Sequence, residues 1–424
     1  MPISTLSISS PVQLQGRIKL PASKSISNRA LLINALSQNK ELPDNLSDCD
    51  DTQVMLRALQ EMPETIDIGA AGTAMRFLTA YLSVTPGTHV ITGTERMRHR
   101  PIGILVDALR KLGAQIQYEG EEGFPPLRIT GRTNLEGGKL TVAGDVSSQY
   151  ISALLMIAPT LSHGLELTLT GDIASRPYLD MTLTMMCDFG AHAKWTSPTS
   201  IEVQPVPYTP RLYRIESDWS AASYWYEMMA LAPQRDSWIE LVGLTTESIQ
   251  GDSRVWRWFN QLGVQTSPFH DDSDGTEGVC IRQGGHLTCF FQEDFSHQPD
   301  LAQTFAVTCS LQNVPFRLSG LQSLRIKETD RIEALKRELG KVVSLEAGPD
   351  YLEWKGNYNI DILDRMGHNL TFDTYEDHRM AMSLAPICMV LNEPIHINNP
   401  EVVSKSYPGF WSDLEKIGFY IACS

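Results

Sequence analysis

The 424-residue sequence has no apolar run approaching the ~20 residues that a membrane-spanning helix needs, so no membrane role is expected. Its start, MPISTLSISSPVQLQGRIKLP, alternates like a strand and lacks a basic-then-apolar signal pattern, which points to the cytoplasm. Cysteine is thinly spread: seven residues, an odd number, with no C-x-x-C pair, as expected of free thiols in a reducing compartment. Cys280, His286 and Cys289 flank Gly284-Gly285, read as a hairpin turn, but no second ligand pair lies near, so no metal site is expected. Positive charge is scarce, with 35 Lys and Arg against 50 Asp and Glu and a net charge of −15. Such a surface repels nucleic acid and anionic membranes, so any anion site must be a local basic cluster.

What is present is ordinary for a soluble globular protein, 42% hydrophobic and 20% charged residues. The length exceeds one ordinary core and implies two or three domains. Internal repetition sharpens that. Amphipathic runs end at Gly113, Gly190, Gly263, Gly340 and Gly418, 73 to 78 residues apart, where glycine just past a helix takes a positive φ without strain. In a sixth, degenerate run Met62-Pro63 replaces the glycine. A second series marks other helix starts near Lys24, Gly72, Ser147, Ser220, Asp300 and His378. Six units are therefore expected, the first about 25 residues short, each with two helices and strand-like runs between them. Alternating strands and helices mean a layered α/β architecture, as two domains of three units with a break near 209–218.

The second helices share a further feature. A basic residue stands at the start of five of them: Arg100, Arg176, Arg254, Arg331 and Lys405. A helix N-terminus already carries partial positive charge, so cations there suit an anionic ligand better than the helix itself. The first series agrees: Ser25 and Arg29 share a face beside Lys24, Gly72 lies in a Gly-rich turn, Ser147, Ser148 and Gln149 open one helix, and Asp377-His378-Arg379 opens another. In LRIKETDRIEAL, residues 324–335, Lys327, Glu328, Asp330 and Arg331 crowd five positions; Thr329 or Asp330 suits an N-cap there. Taken together, these starts suit a multiply anionic small molecule. Repeat ancestry with surface salt bridges is the alternative from spacing alone.

The stretches LPASKSISNRALL, GTAMRFL, RMRHRPIGILVDALRKLGA, VSSQYISALLMIAP, SRPYLDMTL, KETDRI, YEDHRMAM and KSYPGFW resemble the 5-enolpyruvylshikimate-3-phosphate synthase family, from residue 16 to the C-terminus. The resemblance implies two domains of three βαβαββ-like repeats each, the inverted α/β barrel of the enolpyruvyl transferases, with the first repeat shortened. It assigns 21–214 to one domain and 1–20 plus 215–424 to the other, with the active site in the cleft between them. It implies transfer of the enolpyruvyl group of phosphoenolpyruvate to the 5-hydroxyl of shikimate 3-phosphate by addition and elimination, in a monomer without cofactor or metal, as a step of chorismate biosynthesis. Carried over, Lys24, Gly72, Arg100, Gln149, Arg331, Arg379 and Lys405 take phosphoenolpyruvate. Lys24, Ser25, Arg29, Ser147, Ser148, Gln149, Ser175, Tyr178, Asp300, Ser323 and Lys327 take shikimate 3-phosphate. Asp300 is the implied base and Glu328 the proton donor, with Lys24 sharing the proton work and Asp377 and His378 in support.

Three positions depart from the family's usual pattern: Ala70 for Asn, Phe77 for Pro or Leu, and Ser323 for Asn. They bear on affinity and on sensitivity to glyphosate, for which the small Gly72 still leaves room. Two other readings stay open from the residues: the related transferase acting on UDP-N-acetylglucosamine, whose family carries an essential Cys on a loop and an early Lys-Asn pair, where this sequence has Lys24-Ser25 and no Pro-Cys loop before RPIG, and an inactive anion-binding repeat scaffold.

Overall fold

The computed structural model describes residues 4–356, 370–391 and 393–423. The chain divides into two compact units, Ala22–Glu216, and Met1–Pro21 together with Ser217–Ser424. Strands β1 (Thr5–Ser9) and β2 (Gln15–Lys19) thus precede the first unit but belong to the second.

Ala22–Glu216 opens with helices α1 (Lys24–Leu36) and α2 (Asp50–Glu61). Two four-stranded sheets follow. One runs β3 (Thr65–Asp67), β4 (Gly87–Thr92), β6 (Leu127–Gly131), β5 (Gln115–Tyr118); the other runs β7 (Gly138–Ala143), β8 (Leu165–Thr170), β10 (Ser200–Val203), β9 (Ala193–Ser197). In both, the first two strands are parallel and the other two join antiparallel. Parallel neighbours need a crossover. Helices α3 (Gly72–Val84) and α6 (Ser148–Ile157) supply it. The short α4 (Glu95–Arg98), then α5 (Gly103–Lys111) and α7 (Arg176–Asp188), lead from the second strands into the antiparallel pairs.

The other unit repeats this order three times. Its sheets run β2, β11 (Trp238–Val242), β13 (Thr276–Leu287), β12 (Leu262–Asp271); then β14 (Phe291–Asp294), β15 (Phe316–Ser319), β17 (Leu352–Trp354), β16 (Glu346–Ala347); then β18 (Thr371–Phe372), β19 (Ile395–Asn398), β1, β20 (Tyr420–Cys423). The first helices are α8 (Trp219–Leu231), α10 (Ala302–Leu311) and α12 (His378–Leu384), the second ones α9 (Val255–Asn260), α11 (Arg331–Leu339) and α13 (Phe410–Lys416). The N-terminus therefore provides an edge strand of one sheet, β2, and an inner strand of another, β1 between β19 and β20. First helices are buried almost all round, whereas α5 and α11 bury one stripe.

The shortened first unit shows what it lacks. Among the described residues α1 and α2 have no four-stranded sheet of their own, and Asp44 pairs with Arg214 in an isolated bridge between them and the end of the unit. Four expected glycine stops have the positive φ, 100° at Gly113, 85° at Gly190, 79° at Gly263 and 99° at Gly418. Gly340 departs, at φ −58°, because the chain after α11 continues in a right-handed turn. Met62 fills the sixth stop at φ 43°, a left-handed conformation that a side chain disfavours. The expected turn at Gly284-Gly285 is also corrected: both residues lie inside β13, where the register to β12 shifts between Leu262 and Val264, and the β12–β13 turn falls earlier, at 272–275. The glycine pair makes a bulge, a common role for glycine in strands. Among the described residues no group of His, Cys, Asp and Glu could hold a metal, and no helix is long and apolar enough to cross a membrane.

Candidate active site

In Ala22–Glu216 the expected residues gather at helix starts. Lys24 begins α1, and its Nζ lies 3.3 Å from Asp51 Oδ2 near the start of α2. One turn on, Arg29 is buried. Its Nε donates to Thr182 Oγ1 at 2.7 Å, Nη1 to the Ser25 carbonyl at 3.0 Å, and Nη2 to Ser152 Oγ at 3.1 Å and the Tyr178 carbonyl at 3.4 Å. None of these acceptors is a carboxylate. Burial pulls the guanidinium down to about 10, since a desolvated charge without a counter-charge is costly. Ser147 caps α6 by accepting from the Gln149 N–H, and Gln149 Nε2 reaches Thr73 Oγ1 at 3.0 Å. Ser148 is the first residue of α6. Ser175 precedes α7 in a left-handed conformation, φ 53°, which strains a serine. Arg100 leans on the start of α3: a Cβ added at Gly72 would sit 2.7 Å from its Nη1. The Arg100 Nε is buried with no hydrogen-bond partner among the described residues.

In the other unit the charged residues close on one another. Asp300 Oδ1 lies 2.8 Å from Arg331 Nη1 and 3.4 Å from Lys327 Nζ, and its Oδ2 is 3.1 Å from Arg379 Nη2. Arg331 also reaches Glu328 Oε2 at 2.8 Å and Asp377 with Nε at 2.7 Å and Nη2 at 3.2 Å, the two-pronged geometry that Arg offers a carboxylate. Burial opposes the Arg331 charge, but Asp377, Glu328 and Asp300 outweigh it and hold the pKa above the ordinary value. Asp377 caps α12 through the Arg379 N–H, and Arg379 Nη1 meets Tyr224 Oη at 3.4 Å. His378 is buried beside Asp377. Asp330 caps α11 and pairs with Arg325 at 2.9 Å. Lys405 Nζ donates to the Glu376 carbonyl at 2.7 Å. Ser323 lies in the turn Gln322–Ile326, outside this set of ion pairs.

The expectation of one shared position for five cations is corrected. Arg176 and Arg331 are first residues of their helices and Arg254 precedes one, but Arg100 stands three residues before α5 and Lys405 five before α13. Arg176 stacks on Trp195 at 4.0 Å and Arg254 on Trp258 at 5.8 Å, so aromatic faces occupy those two. Sequence reasoning missed Asp51, Ser152, Thr182 and Asp252. Ser152 and Thr182 each lie four residues after an expected site residue, Ser148 and Tyr178, and helical phase would have found them. Asp252 is buried; its Oδ2 accepts from Ser220 Oγ at 2.5 Å, and burial, then the Asp300 charge, pushes it up to about 6.

The family model for EPSP synthase (3-phosphoshikimate 1-carboxyvinyltransferase) matches residues 8–67 and 62–414 of the chain. A 3-phosphoshikimate 1-carboxyvinyltransferase of Bacteroides fragilis is 57% identical over 419 residues, covering 98% of each chain. One of Shewanella halifaxensis is 34% identical over 434 residues, covering 96% of this chain and 97% of its own. A solved EPSP synthase structure from Acinetobacter baumannii aligns with TM-score 0.77 at 22% identity, over 99% of this chain and all of its own, a likeness of fold.

Proposed function

We propose a function from one premise: this chain belongs to the EPSP synthase family. It transfers the enolpyruvyl group of phosphoenolpyruvate to the 5-hydroxyl of shikimate 3-phosphate and releases phosphate, a step of the shikimate pathway leading to aromatic amino acids. The observation that carries the division of labour is the ion-pair set around Asp300, in which one carboxylate meets Lys327, Arg331 and Arg379 and a second, Glu328, shares Arg331.

Asp300 takes the proton of the 5-hydroxyl as its oxygen attacks C2 of phosphoenolpyruvate, and Glu328, protonated when the negative charge of both substrates is bound beside it, gives a proton to the methylene carbon. The tetrahedral adduct then loses phosphate from C2, which leaves with the proton taken up by Asp300, and returns a proton from the new methyl group to Glu328, which restores the double bond. Charge on the phosphate and carboxylate of phosphoenolpyruvate is met by Lys24, Arg100, Arg331, Arg379 and Lys405, with Gly72 and Gln149 beside them. Ser25, Arg29, Ser147, Ser148, Ser175, Tyr178, Ser323 and Lys327 hold shikimate 3-phosphate, Lys24 and Gln149 being shared. Asp377 and His378 keep Arg331 and Arg379 in place. The cleft between the two units is part of this proposal, as are a monomer and a cytoplasmic location; all seven cysteines are free thiols, which suits a reducing compartment.

The test is phosphate release with purified protein. Release is expected only when shikimate 3-phosphate and phosphoenolpyruvate are both present; release with UDP-N-acetylglucosamine in place of shikimate 3-phosphate would overturn the reading. Sedimentation equilibrium checks the monomer.

A further inference from the structure

Arg29 is a buried cation whose four hydrogen bonds all go to neutral oxygens. A guanidinium has five N–H groups, so one on Nη1 is left over. Two aromatic rings complete its surroundings. The Phe77 centroid on α3 lies 5.4 Å from Cζ, and that of Tyr178 on α7 lies 5.8 Å away. Phe77 is fully buried, inside α3 and away from solvent. A ring face carries partial negative charge and attracts a cation, more so where water is excluded. Here the rings do part of what a carboxylate would do, but without cancelling the positive charge. A carboxylate in the same place would neutralise Arg29 and compete with any anionic ligand.

We propose that Phe77 is a positioning residue for anion binding: its ring fixes and stabilises the Arg29 guanidinium while leaving its charge available to one anionic group of the substrate. This rests on the assignment of Arg29 to shikimate 3-phosphate made above. Phe77 touches Arg29 from the side; it is Arg29 that takes the anion.

The experiment measures shikimate 3-phosphate binding by titration calorimetry, and KM for both substrates, in Phe77→Leu, Phe77→Met, Phe77→Tyr and Arg29→Lys. Leu and Met keep apolar bulk and lose the ring; each is expected to raise Kd and KM for shikimate 3-phosphate about fivefold, the weight of one buried cation–π contact, while KM for phosphoenolpyruvate moves less than twofold. Phe77→Tyr keeps the ring face and is expected to stay within twofold of the parent. Unchanged affinity in both Leu and Met variants overturns the proposal. So does an equal rise in both KM values, or a Tyr variant as weak as Leu, because each marks plain packing. If Leu does not fold, Met and Tyr still decide. Arg29→Lys separates the two levels: if it binds shikimate 3-phosphate as tightly as the parent, the assignment of Arg29 fails; if it binds weakly and Leu and Met do not, only the role of Phe77 fails.

Discussion

The two units keep their buried cations in opposite ways. In Ser217–Ser424, Arg331 is wrapped by three carboxylates, and Asp300 in turn bridges it to Lys327 and Arg379. In Ala22–Glu216, Arg29 has neutral oxygens and ring faces, and Arg100 lies against a bare glycine. The first arrangement balances buried guanidinium charge with carboxylates. The second leaves the charge of Arg29 uncancelled, which suits an anionic ligand. The two units thus differ in how their buried guanidinium groups are balanced.

The largest expected effect falls on the chemistry. Glu328→Gln should lower turnover by about 10²–10⁴-fold with modest loss of substrate binding, as for removal of a general acid; unchanged turnover in a phosphate-release assay refutes its role. Next comes stability. Asp377 and Arg331 are both fully buried, so Asp377→Ala should cost about 3 kcal/mol by removing two charged hydrogen bonds to Arg331 and the cap of α12, while Asp300 and Glu328 still pair with that cation. Arg29→Met acts the other way: it removes an uncompensated charge, and Ser152 and Thr182 still bond to each other at 2.9 Å. Its stability should stay within about 1 kcal/mol of the parent, or exceed it, while shikimate 3-phosphate binding is lost. Urea unfolding of the two variants measures the contrast directly, and equal losses would break it.

Asp252 sharpens the same contrast through pH. Its carboxyl is raised from 3.8 to about 6, chiefly by burial and then by Asp300. The folded state therefore holds this proton more tightly than the unfolded one. The stabilisation is full below about pH 3.8 and is lost as pH rises through about 6. Its size is roughly 3 kcal/mol, because each tenfold gain in proton affinity on folding is worth about 1.36 kcal/mol. Asp252→Asn should flatten that part of the stability profile and leave the protein more stable than the parent at pH 7.5, as read by urea midpoints from about pH 4.5 to 7.5. A variant that keeps the parent's slope shows that the acid load near Asp300 lies elsewhere.

How much of this was legible depends on the range of the forces involved. The repeat was readable because glycine stops and capping residues are local: Gly190 and Asp330 do their work within a turn of where they stand. The bulge at Gly284-Gly285 was misread because a bulge and a turn use the same glycines, and the partner strand decides between them. Cations at helix starts were visible, but their neighbours were not. Asp377 meets Arg331 from 46 residues away, and Thr182 meets Arg29 from 153. Motif resemblance assigned residues to ligands, yet spacing alone could not show that Arg331 is neutralised by carboxylates and Arg29 is not. That difference arises only when separate helices pack.

The smallest expected effect concerns Arg100, a second cation of Ala22–Glu216. Gly72 is the first residue of α3, and its φ is not in the left-handed region, so alanine fits the backbone. Its Cβ would meet Arg100 Nη1 at 2.7 Å and Cζ at 3.2 Å, and Arg76 Nη1 at 3.0 Å. These are ends of flexible side chains, which move at little cost to the fold. Gly72→Ala should therefore leave the melting temperature within about 2 °C while pushing the Arg100 guanidinium off the start of α3. If Arg100 serves phosphoenolpyruvate, its KM rises about tenfold, the weight of one weakened charged hydrogen bond, and that for shikimate 3-phosphate stays put. Matching rises in both would mean that the helix start itself, rather than the displaced cation, sets affinity, and the proposed assignment of Arg100 to phosphoenolpyruvate would fall.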